Sequence, residues 1–77
     1  MNGTAVESTT LAEVGYDEAR ETLRLEFRSR GVYLYYGVPG PVHQALLGAA
    51  SKGRYFNEAI RGRFRYARAA KAQPGEV

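Results

Sequence analysis

Cations and tyrosines are the residues of this chain whose types and spacing could do chemistry. Lys52, Arg54, Arg61, Arg65 and Arg68 fall in the C-terminal third, and Tyr66 stands among them. Guanidinium groups contact phosphate, and aromatic faces stack on bases, so this mixture points to nucleic acid. The charge layout agrees with that reading. Residues 1–51 hold four arginines against six carboxylates, net −2, whereas residues 52–77 hold seven basic residues against two glutamates, net +5. A basic segment is the electrostatic footprint of a partner with phosphates, and it reads equally as a solvated face that keeps a small domain in solution.

Other chemistry finds little support. His43 is the single histidine and has no acidic neighbour in sequence, so no general acid–base pair or activated nucleophile is visible. The reading is therefore of a protein that is not an enzyme. With no cysteine and one histidine there is no ligand spacing for a metal, and no cofactor motif is present. The lack of cysteine suits a reducing cytoplasm. No apolar run approaches the ~18 residues of a membrane span, and the first residues, M-N-G-T-A-V-E-S, are not those of a secretory signal.

The elements that would position these residues follow from periodicity. A chain of 77 residues supports one small core. Residues 1–8 read as a flexible lead-in, 9–68 as the domain and 69–77 as a flexible tail. Thr9 to Tyr16 reads as a strand in which Leu11 and Val14, three apart, share a face only if a bulge near Glu13 or a bend at Gly15 intervenes. In Thr22 to Arg28, Leu23, Leu25 and Phe27 alternate with Arg24, Glu26 and Arg28, the mark of a half-buried antiparallel strand. A third strand, G-V-Y-L-Y-Y, follows S-R-G.

The hairpin register decides which tyrosines face inward. A three-residue loop, Ser29-Arg30-Gly31, places Phe27 opposite Tyr33 and Leu25 opposite Tyr35, and it is favoured because Gly31 tolerates the positive φ such a loop needs. Tyr33 and Tyr35 then form a core aromatic motif. Val32, Leu34 and Tyr36 lie on the other face, a possible surface for another protein or a second copy. Tyr36 and Tyr66 are the better stacking candidates, and Tyr16 and Tyr55 read as core edges.

Pro39 and Pro41 end the third strand and open a helix to about Ala50, with Val42, Ala45, Leu46 and Ala49 as its apolar stripe. A second helix begins near Arg54, capped by Ser51 or Gly53, with Phe56, Ala59, Ile60 and Phe64 inward. Gly62 allows an early stop, after which F-R-Y-A-R reads as a short extended segment; helix and strand both remain open there. The order β-β-β-α-α gives an α+β fold, two helices on one face of a small three-stranded antiparallel sheet.

The motifs S-T-T-L-A-E-V-G-Y-D, T-L-R-L-E-F, Y-x-Y at Tyr33 and Tyr35, G-V-P, S-K-G-R-Y-F-N and F-R-Y occur in this order from about Ser8 to Arg68. Taken together, they resemble the KTSC domain, a short bacterial module named for its place at the C-terminus of some lysyl-tRNA synthetases and found also as stand-alone proteins. The resemblance implies a small domain of unknown function, for which RNA binding, of tRNA or a single strand, is suggested by the company of a tRNA synthetase. Two positions depart from the family pattern. Ser29-Arg30-Gly31 replaces an Asn-Gly type of turn, and His43 replaces an aromatic.

Overall fold

The fold is described from a computed structural model, in which residues 2–5 are described as backbone only and residues 9–69 in full. The predicted flexible tail falls almost wholly outside these residues. Five strands form one antiparallel sheet in the order of the chain: β1 (Asn2–Ala5), β2 (Leu11–Asp17), β3 (Thr22–Phe27), β4 (Gly31–Tyr36) and β5 (Arg65–Ala69). Between β4 and β5 lie α1 (Gly40–Gly48), α2 (Lys52–Tyr55) and a π-helical turn (Phe56–Ile60). The α+β class and the two helices on an antiparallel sheet agree with the sequence, and the strand count does not. The sheet gains β1 from the lead-in and β5 from the C-terminal segment, which turns out to be extended.

The core lies between the sheet and the helices. Leu23, Leu25 and Phe27 on β3 are buried, together with Leu11 and Val14 on β2, Leu46 on α1, and Phe56 and Ile60 of the π-helical turn. Leu11 and Val14 do share a face, because the β2–β3 register shifts between Leu11 and Glu13. This bulge inserts the extra residue that the three-residue spacing requires. Removing a side chain such as Leu25 would cost about 2–5 kcal/mol, the range for a buried leucine left as a cavity.

The hairpin register differs from the expected one by two residues. Phe27 pairs with Gly31, Leu25 with Tyr33 and Leu23 with Tyr35, so the loop is Arg28-Ser29-Arg30 and Gly31 opens β4 with φ +95°. A shift of two preserves the side-chain faces, so Tyr33 and Tyr35 lie on the helix side with the leucines. On α1, Leu46 is buried and Leu47 packs on the core, while Ala45 of the predicted stripe is exposed.

Ser51 caps α2, its hydroxyl accepting from the Arg54 backbone N–H at 3.3 Å. Such a cap contributes about 1 kcal/mol. Gly53 closely meets Thr10, the residue before β2: a Cβ there would lie 2.6 Å from Thr10 Oγ1 and 3.1 Å from Thr10 Cβ. The helix ends when Arg61 N–H donates to the Phe56 carbonyl at 2.8 Å, and Gly62 turns the chain towards β5 with φ +78°.

Candidate functional site

Strand β5 completes the site. It pairs with β4 so that Tyr66 faces Tyr35 and Arg68 faces Tyr33, continuing the helix-side face beyond the edge of the helices. Tyr35 is buried, and Tyr66 stacks on it with ring centroids 5.3 Å apart and planes inclined by 26°. Tyr33 tilts against Tyr66 at 5.9 Å. Phe27 meets Tyr33 edge-on at 5.5 Å, and Phe56 meets Phe27 at 5.1 Å and Tyr35 at 5.5 Å. Five rings thus interlock, each contact worth roughly 0.5–1.5 kcal/mol beyond its buried area. Tyr66 is the outermost, 61% exposed although its neighbours hold it.

Two arginines stand at the margin of this aromatic floor. Arg30 comes from the β3–β4 loop and Arg61 from the end of the π-helical turn, and with Tyr33, Tyr66 and Phe56 they bound a groove of about 290 Å³. Arg68 ties β5 to the loop, its Nη2 donating to the Arg30 carbonyl at 3.3 Å. Burial pushes the Tyr35 hydroxyl above its ordinary pKa, assisted by Tyr66 and Tyr33, while the charges of Arg61 and Arg30 pull it back. The Tyr35 phenol therefore stays neutral beside the two arginines.

A second compartment of about 300 Å³ adjoins the first and shares Phe27, Arg30, Phe56 and Arg61 with it. Its remaining walls are Thr9, Thr10, Ser29, Gly53 and Asn57. Hydroxyl and amide groups replace the tyrosines there.

The other residues singled out from the sequence lie elsewhere. Lys52 donates from Nζ to the Ala49 carbonyl at 3.0 Å. The Arg54 side chain pairs with Glu58 one turn on, Nε to Oε2 at 3.1 Å. That exposed pair contributes roughly 0.3–0.5 kcal/mol. Arg65 pairs across the sheet with Tyr36, and strand alternation puts it on the face opposite Tyr66. On that face Val32 is buried, Leu34 is half-buried and Tyr36 is 42% exposed. Arg24 crosses the same face and pairs with Glu13 at 2.7 Å and Glu26 at 3.8 Å.

Of the residues singled out, Arg61 and Tyr66 line the groove, Arg68 only braces its loop through the Arg30 carbonyl, and Lys52, Arg54 and Arg65 are not part of it. Sequence reasoning did not reach Arg30, Phe27, Phe56 and Asn57 as site residues. The F-R-Y-A-R alternation held the signal for β5, and pairing it with β4 would have put Arg68 beside the hairpin loop. Among the described residues no group of three or more His, Asp or Glu side chains could hold a metal ion. No helix among them is long and apolar enough to cross a membrane.

The small α+β sheet with its helices on one face has close relatives. The model of the KTSC domain matches residues 7–64. The crystal structure of a KTSC domain protein from Yersinia pestis superposes with a TM-score of 0.88 at 36% identity, covering 90% of this chain and 97% of that one. The chain belongs to the KTSC domain family. A protein of Tsukamurella paurometabola is 45% identical over 60 residues, 78% of this chain and 90% of its own length. A lysine–tRNA ligase of Trichormus variabilis is 42% identical over 60 residues, which is 78% of this chain and 11% of that enzyme.

Proposed function

We propose that this domain is an RNA-binding module and that the groove between β5, the β3–β4 loop and the π-helical turn is its contact surface. The observation that carries the reading is Tyr66: a ring 61% exposed, held by stacking on buried Tyr35, beside Arg30 and Arg61. An immobilised aromatic face is a platform for an unpaired base, and guanidinium groups beside it meet the phosphate. Because the stack already fixes the ring, binding loses little side-chain entropy. The occurrence of a related segment in lysine–tRNA ligases supports RNA as the partner. Lys52, Arg54 and Arg65 contribute to the field that attracts the strand without lining the groove.

A protein-binding role for Val32, Leu34 and Tyr36 has less behind it. Val32 is buried, and the ion pairs of Arg24 with Glu13 and Glu26 interrupt that face beside Leu34.

Fluorescence anisotropy with short single-stranded RNA at two salt concentrations tests the reading. Tyr66→Ala is expected to weaken binding by roughly ten- to a hundredfold, the span for loss of one stacked base. Arg61→Glu is expected to weaken it and to flatten the salt dependence, whereas Lys52→Glu changes it less. Absence of binding at low salt, or affinity indifferent to both groove substitutions, would sink the proposal.

A further inference from the structure

The two compartments differ in chemistry but share their arginines, and we infer that together they take one dinucleotide step of a ribose strand, with Asn57 reading the 2′-hydroxyl. This inference rests on the RNA-binding reading of the groove. Phe27, Arg30, Phe56 and Arg61 belong to both compartments, so their position is the junction. On one side the wall is tyrosine, Tyr33 and Tyr66, which suits the flat face of a base. On the other side it is Thr9, Thr10, Ser29 and Asn57, which suits a sugar. An anion at the junction is what links a base to the next sugar along a strand. The phosphate then lies between Arg30 and Arg61, the preceding base lies on Tyr66, and the neighbouring ribose lies against Asn57.

Asn57 is suited to discriminate because its amide carries both a donor and an acceptor, matching a hydroxyl that is itself both. The backbone that carries it is held from two directions. The π-helical turn, closed by Arg61 N–H on the Phe56 carbonyl, carries Asn57 between the two shared groups. The close approach of Gly53 to Thr10 holds the start of the same helical segment against the residues that lead into β2, and Thr9, Thr10 and Asn57 line one compartment. A surface that attracted phosphate alone would need neither the hydroxyl wall nor its pairing with an aromatic one.

The test compares hexauridylate with its 2′-deoxy counterpart at low salt, for the wild type, Asn57→Ala and Tyr66→Ala. The ribose strand is expected to bind the wild type about tenfold more tightly, the effect of one hydrogen bond. Asn57→Ala is expected to bring the two strands to within about threefold of each other, while Tyr66→Ala weakens both and leaves their ratio. Equal affinities in the wild type, or a ratio untouched by Asn57→Ala, would overturn this inference and leave the RNA-binding groove standing. Failure of both strands to bind would overturn the groove with it.

Discussion

His43 lies with its imidazole stacked on the ring of Tyr16, centroids 4.5 Å apart and planes within 13°. The Tyr16 hydroxyl donates to the Val38 carbonyl, so the stack joins β2 to the start of α1. Burial lowers the His43 pKa from its ordinary 6.5. In the unfolded chain the imidazole takes its proton at the ordinary value, and in the folded domain it does so only at lower pH. The unfolded state therefore binds more protons in this window, and stability falls as pH drops from 6.5 towards the folded pKa. Thermal melts at neutral and mildly acidic pH should show this loss in the wild type and a smaller one in His43→Phe. A melting temperature equally pH-dependent in both would refute the assignment. The stack was not legible in the sequence, because Tyr16 and His43 are brought together only by the docking of α1 on β2.

Among the elements, the β3–β4 hairpin and the α2 segment show what local sequence can and cannot specify. The positive φ of Gly31 was legible, and with it the faces of β4, but the glycine begins the strand instead of ending the loop. Turn chemistry constrains which residue takes the left-handed conformation more tightly than it constrains which pair closes the loop. The π-helical turn had no sequence mark, since Phe56 and Ile60, four apart, would share the core face of a regular helix as well. Gly53 was read as a candidate cap, and its other reason, the nearness of Thr10, depends on a segment distant in sequence. Gly53→Ala should thus lower the melting temperature despite alanine's helix preference of about 1 kcal/mol, because the methyl meets a short, stiff β-branched neighbour. Thr10→Ala in the same chain should recover part of the loss. An additive double mutant would show that the two residues do not interact.

On the scale of the whole molecule, three strand pairs join neighbours in the chain, and the fourth, β4 with β5, is separated by residues 37–64. The strong alternation of β3 made the central sheet legible, whereas β5 is exposed along most of its length and carries no buried face to announce it. The groove was correspondingly hard to foresee, since Tyr66 and Arg68 acquire their neighbours only through that distant pairing. An exposed edge strand opens at lower free energy than a central one. Amide hydrogen exchange should accordingly be faster in Arg65–Ala69 than in Thr22–Phe27, and a bound oligonucleotide should slow it. Equal protection of the two strands in the free protein would contradict this.

The long connection before β5 also sets an order of events. Short loops let β2, β3 and β4 meet early, while bringing Tyr66 to Tyr35 must await the helices and the larger loop-closure entropy. A half-folded chain would therefore carry Phe27, Tyr33 and Tyr35 without the Tyr66 ring that completes the groove. Any ligand of that groove would select the finished molecule over its precursors and draw the last strand closed by mass action.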